Sequence, residues 1–478
     1  MRRLLVSAVV VLAFPGAAFA QEYDANCTTA DPPPVTKPAH PIHFGITPRA
    51  AGSVGGSQAQ VAPEDEGKAL AALNELRPPG RALVMRLNRL FWADGDEGIR
   101  TFAGYVDQYG AAGFEVESQV RYHPPPGKEG DIPAWEEYVR AVVRELGKRP
   151  ALTALSITNE ANFSGSQNTS DGAYEGVVDA LVRGTVVARA ELDAMGRPDV
   201  RLGFSMMWRW SPDSDRKFWE DIGARADATP GFREAVDYVG LQIYPGLVWP
   251  PSPRPGVTAG AEVIEALTLL RRCYMPKAKL GDAVDVWISE NGYATNLGRT
   301  EETQVRDLES TLRDVHNWSG ELGISDYRYF NLRDNNSDGT DLFAAVGLLR
   351  DDYSRKPAFD TFRALLGEVG TEARPLGGAG PSGGDGAGGS PPPGPPRRPA
   401  RPRGLVVKIL RLSRGRLWVS GRVHGARRCR GAVRIRAGRK VRRARLRPDC
   451  RFVRRIRVKQ RRVRVVVRRG RMVVRRRA

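Results

Sequence analysis

Eight short runs of apolar and β-branched residues recur at fairly even intervals between His40 and Gly367, and segments of helical character fill the spaces between them. The runs are HFGI from 43, ALVMRL from 82, FEVESQV from 114, LTALSIT from 152, VRLGFSM from 200, YVGLQIY from 238, VDVWIS from 284 and DYRYFNL from 326. Between the third and fourth runs, residues 133–150 set Trp135, Tyr138, Val142, Val143 and Leu146 at helical spacing. Alternation of strand and helix predicts a parallel sheet. An open doubly wound sheet shares the pattern, but no glycine-rich turn follows the first run to cradle a dinucleotide. About 330 residues suit a single α/β domain closed as a (β/α)8 TIM barrel with insertions.

The ends of the chain differ in kind from this middle. Residues 1–20 read as a signal peptide, with Arg2 and Arg3, an apolar stretch from Leu4 to Phe14 and Ala18-Phe19-Ala20 at its end. The run is short for an uncleaved anchor, and no later stretch reaches the roughly 20 apolar residues of a membrane helix. A secreted or envelope-associated protein is therefore expected, with residues 21–39 as an N-terminal extension. Four cysteines then read as two disulfides. Cys429 and Cys450 share one short segment and are expected to pair. Cys27 with Cys273 follows by elimination only, with two free buried thiols as the alternative.

Net charge is +20 overall, but residues 397–478 carry 34 Lys and Arg against one acid, Asp449, so +33 there leaves −13 for the rest. The barrel is assigned to 40–368, a Gly/Pro-rich linker to 369–403 and a basic segment to 404–478. Within the basic segment apolar and basic residues alternate, as in AVRIRAG from 432, which predicts a small β domain with one buried face, and Arg469-Gly470 predicts a hairpin turn. Its arginines suit an anionic cell-envelope polymer, or a solvated face with no dedicated partner. The absence of a nucleic-acid motif argues against nucleic acid.

Barrel chemistry sits at the carboxyl ends of the strands. Glu160 closes LTALSITNE on the fourth run, and Glu290 closes VDVWISE on the seventh. One glutamate at a strand end is as well explained by a salt bridge; two facing each other across the mouth suit glycosidic cleavage, which needs an acid to protonate the leaving oxygen and a second carboxylate at the anomeric carbon.

Asn159-Glu160 on strand four, Glu290 on strand seven and GLLRDDYSRKPAFDTFRALL at 347–366 resemble glycoside hydrolase clan A, in particular its families 5 and 39, over roughly residues 40–368. The resemblance implies a retaining glycosidase of polysaccharides or oligosaccharides, with Glu160 as acid/base, Glu290 as nucleophile and no cofactor. It also implies that Asn159 bonds the sugar 2-hydroxyl, that Tyr244 orients Glu290, and that Lys356-Pro357-Ala358 opens the last helix. Gln242 stands where the clan often has histidine, and YFNLRD at 329–334 stands where it often has tryptophan. Arg86 and His123 are further candidates for contact with the substrate, and Trp92, Trp208, Trp210 and Trp249 are candidates for stacking on sugar rings. Asp334, Asn336, Asp338 and Gly339 imitate half a calcium loop, but Ala345 occupies the place of its bidentate acid, so no metal is expected. A non-catalytic carbohydrate-binding or envelope barrel is the competing reading, and it gives no reason to keep both glutamates.

Overall fold

The computed structural model describes residues 27, 31–49, 61–209, 211–248, 250–251 and 254–374, and the backbone of seven strands between 404 and 477. The expected leader, the expected linker from residue 375 on, Trp210, Trp249, Gly470 and the Cys429–Cys450 pair lie outside the described residues.

All eight runs form strands: β1 His43–Ile46, β2 Val84–Phe91, β3 Glu115–Arg121, β4 Leu152–Ile157, β5 Arg201–Met207, β6 Tyr238–Gln242, β7 Asp285–Asn291 and β8 Ile324–Tyr329. They pair in parallel in chain order, and β1 pairs with β8, so the sheet closes into a (β/α)8 barrel. The helix after β3, Ile132–Leu146, shows why the sequence folds this way locally. Asp131 caps it by accepting from the Ala134 amide at 3.1 Å, and its apolar stripe of Trp135, Tyr138, Val142, Val143 and Leu146 is buried. It ends four residues before the expected 150, because Pro150 disfavours helical geometry at Arg149.

The inside of the barrel departs from the usual branched aliphatic filling. Along β3, Glu115, Glu117, Gln119 and Arg121 alternate with Val116 and Val120, and the polar set points inward. Glu117 accepts from both Arg86 of β2 and Arg328 of β8, the latter at 2.8 Å. Arg328 also donates to Asp326 at 2.7 Å, and Asp326 lies 3.3 Å from His43, which lies 3.4 Å from Glu115. A column of alternating charge thus runs from the strand starts up to Arg86. Gly45 leaves room for it, since a Cβ there would fall 2.4 Å from Arg328 Cδ. Beside the column, Tyr238 and Trp287 stack with ring centres 3.4 Å apart.

Below the barrel, Pro33 accepts from the Trp318 indole at 3.2 Å, and the Cys27 and Cys273 Cα atoms are 5.8 Å apart with their sulfurs facing. The chain divides into two units near residue 380. The second unit holds two antiparallel sheets. One is ordered β13 (Arg451–Arg457), β10 (Arg416–His424), β9 (Gly404–Ser413); the other is β12 (Lys440–Arg445), β11 (Ala432–Ala437), β14 (Arg464–Arg469), β15 (Met472–Arg477). Val433, Ile435 and Ala444 are buried while Arg436, Arg442, Arg443 and Arg445 are exposed, so period-two alternation holds along β11 and breaks at Arg442 on β12.

Candidate active site

β4 stops at Ile157, and the next three residues turn into the mouth. Thr158 and Glu160 both adopt left-handed backbone, at φ 66° and 47°. For residues with a Cβ this costs on the order of 1–3 kcal/mol each and persists where the surroundings fix it. Asp171 fixes it: one carboxylate accepts from the Asn159 and Tyr122 amides at 2.8 Å each and from Arg121 Nε at 2.8 Å. Glu160 is left 8% exposed, and Ser170 Oγ donates to its Oε2. Burial foremost, and then the negative charge of Glu290, push the Glu160 carboxyl up to about 8.

Glu290, near the end of β7, is 6% exposed and differently served. Tyr244 donates its hydroxyl to Oε2 at 2.8 Å, and Arg86 Nη2 donates to Oε1 at 3.4 Å. The structure therefore supplies the tyrosine expected beside the strand-seven acid and adds a guanidinium. Burial, foremost, and the Glu290 charge hold the Tyr244 phenol well above its ordinary range, so it remains a donor. The Tyr244 ring packs edge-on against Phe330 and Phe343.

A network of neutral groups backs the Glu160 side of the mouth. Gln242 Nε2 donates to Asn159 Oδ1 at 2.6 Å and to Ser205 Oγ at 3.2 Å, and the Glu160 amide donates to that same Oγ at 3.4 Å. Asn159 also donates through Nδ2 to the Thr169 carbonyl at 2.7 Å. Sequence reasoning missed Ser170, Asp171, Ser205 and Glu117. The two serines carry no motif, but Glu117 and Ser205 share the inward parity of their strands and were findable on that ground.

His123, half-buried after β3, bonds Tyr174 OH through Nδ1 at 2.8 Å and packs against Phe91. Burial holds it below its usual range, so it is neutral near pH 7. Trp208 requires a correction. It is 4% exposed and its edge meets Tyr274, in the layer between strands and helices. Ser205 and Met207 point inward, so the next residue must point out, and Trp208 faces away from Glu160 and Glu290. Trp92 is likewise packed among Tyr122, Trp135 and Tyr138. Asp334 is committed to Lys356 Nζ at 2.7 Å and to the Gly347 amide at 2.8 Å, and Lys356 stands just before the last helix, Pro357–Val369.

No protein-family model and no curated protein sequence matches the chain. Solved structures do. A fungal β-1,4-galactanase is 14% identical with a TM-score of 0.47, covering 68% of this chain and 99% of that one. A GH5_18 protein from Streptomyces cattleya in complex with GlcNAc is 16% identical with a TM-score of 0.48, covering 70% and 83%. A β-glucuronidase from Bacteroides uniformis is 12% identical with a TM-score of 0.42; 92% of this chain is covered, but only 46% of that one.

Proposed function

We propose that the barrel is a retaining glycoside hydrolase acting on a polysaccharide or oligosaccharide. The observation that carries this reading is the opposed treatment of two carboxyls at one mouth: Glu160 is buried and held protonated with a raised pKa of about 8, while Glu290 receives donors from Tyr244 and Arg86. In the first step Glu160 gives its proton to the leaving oxygen as Glu290 forms a bond to the anomeric carbon. Esterification removes the Glu290 charge, one of the two main causes of the raised Glu160 pKa, so Glu160 becomes a stronger acid and rests as the carboxylate that activates water in the second step. Asn159, fixed by Gln242 and Thr169, is positioned to bond a ring hydroxyl.

The test is chemical rescue on an aryl glycoside with a dinitrophenolate leaving group. Glu160→Ala should still be glycosylated and should be rescued by azide with retention of configuration; Glu290→Ala should be dead, or give inverted azide product. Azide rescue of Glu290→Ala with retention of configuration, and inverted product or none from Glu160→Ala, would reverse the two roles.

The leader-like N-terminus and the facing sulfurs of Cys27 and Cys273 support export of the protein with this pair oxidised. The exposed arginines of β11 and β12 support capture of an anionic envelope polymer by the second unit.

A further inference from the structure

Beside Glu290 the carboxyl ends of β1 and β2 enclose a cavity of about 230 Å³ lined by Thr47, Arg49, Arg86, Asn88, Arg89 and Tyr105, among others. Its three guanidiniums are not equivalent. Arg49 is paired with Glu64 at 2.6 Å, and Arg86 is shared between Glu117 and Glu290. Arg89 has neither an ion pair nor a hydrogen bond among the described residues; its only close neighbour of note is the Phe91 ring, 5.6 Å from Cζ. Burial, and the charge of nearby Arg121, work against the Arg89 cation, while Glu290 and Asp94 favour it from beyond ion-pair distance. Arg89 is only half-buried, so its donors, unspent on the described residues, stay open to the cavity it lines and to an anion that enters it. The cavity wall holds two more unmatched polar atoms, Thr47 Oγ1 and Arg86 Nε. The space is several times the roughly 30 Å³ share of one water, enough for a substituent on a sugar ring.

We propose that Arg89 receives an anionic group, a carboxylate or a sulfate, carried by the saccharide bound at this mouth, so that the substrate is an acidic glycan. The proposal rests on the mouth being a saccharide site. A planar guanidinium fork matches a carboxylate with two parallel N–H···O bonds and also accepts sulfate oxygens. Arg89 is then a specificity residue, with no part in bond breaking.

The test uses the full chain and calorimetric titration, at fixed ionic strength, with short oligosaccharides in matched sets: a uronate-bearing member, its carboxyl-reduced neutral counterpart and a sulfated member. The wild type should bind an acidic member about tenfold more tightly than the neutral one, and the uronate and sulfate arms tell which anion is taken. Arg89→Ala and Arg89→Gln, checked for unchanged melting, should each lower that acidic-to-neutral ratio at least fivefold, while Arg89→Lys keeps part of it. The basic second unit is present in all four proteins, so the part of the ratio that is lost with Arg89, and not the wild-type ratio alone, carries the result. A ratio near one in the wild type, or a ratio untouched by Arg89→Gln, overturns the proposal. Cleavage of neutral members with no acidic preference would sink it and leave the glycosidase reading intact; Arg89-dependent binding with no member cleaved would do the reverse.

Discussion

Glu160 and Glu290 reach the same mouth and are almost equally buried, yet their surroundings share nothing. The β4 rim offers Glu160 one hydroxyl, from Ser170, and a backbone turned into left-handed geometry to deliver it. The β7 rim offers Glu290 a phenol and a guanidinium, and that guanidinium is the top of a charge column reaching down to His43. Burial alone therefore does not set a carboxyl's role; donors do. Where they are scarce, as around Glu160, burial and a neighbouring negative charge keep the proton on.

The largest effect should come from removing the anion. Glu290→Gln should lower kcat/KM on any cleaved glycoside by on the order of 10⁴-fold or more without loss of melting temperature, measured against wild type on the same substrate. Next is the column below it. Glu117→Gln leaves Arg86 and Arg328 buried without their shared carboxylate, and breaking a buried pair from one side costs about 3–5 kcal/mol, read as a shifted urea midpoint. A midpoint within error of wild type would show that the column is not structural. Tyr244→Phe removes one donor from Glu290 and should cost about 10²-fold in kcat while barely moving stability.

The smallest effect is in pH dependence. Burial opposes charge on His43, but hydrogen bonds to Asp326 and Glu115 outweigh it and raise the imidazole to about 9. A raised folded-state value means that the stabilisation is complete below the unfolded value of about 6.5 and fades as pH climbs through 9. Glu160 acts in the same direction, since a carboxyl raised from 4.5 to about 8 makes the fold hold a proton that the unfolded chain releases. Wild type should therefore lose stability steadily between pH 6.5 and 9. Glu160→Gln should lose less than wild type over that range, and His43→Gln likewise; parallel curves for all three would contradict both assignments.

Much of the fold and of the site is legible in the amino-acid order itself. The eight runs became the eight strands, and strand order puts Glu160 and Glu290 on β4 and β7. The register shift between Ile288 and Glu290 that turns Glu290 inward is not written in the alternation, and Tyr244 came from the resemblance. What was not legible came from reading faces. In FEVESQV the alternation is plain, but a polar face reads as a wet one, and only closure of the barrel turns Glu115, Glu117 and Gln119 inward, onto His43, onto Arg86 and Arg328, and onto Ser205 respectively. Trp208 failed for the same reason in reverse: its position after a strand suggested the cleft, while the inward Met207 before it dictates the opposite side. Ser170, ten residues beyond Glu160, could not be found from spacing, because the loop that returns it is fixed by Asp171 and Arg121.

Whether burial and the Glu290 charge together keep Glu160 protonated can be tested without a substrate. Carbon-13 NMR of the side-chain carboxyls, assigned by loss of one signal in Glu160→Gln, follows Glu160 directly through pH. A midpoint near 8 is expected in the wild type, with a clear fall in Glu290→Gln, where the neighbouring negative charge is gone. A Glu160 midpoint close to the ordinary 4.5 in the wild type, or one unmoved by Glu290→Gln, would contradict the division of roles between the two acids.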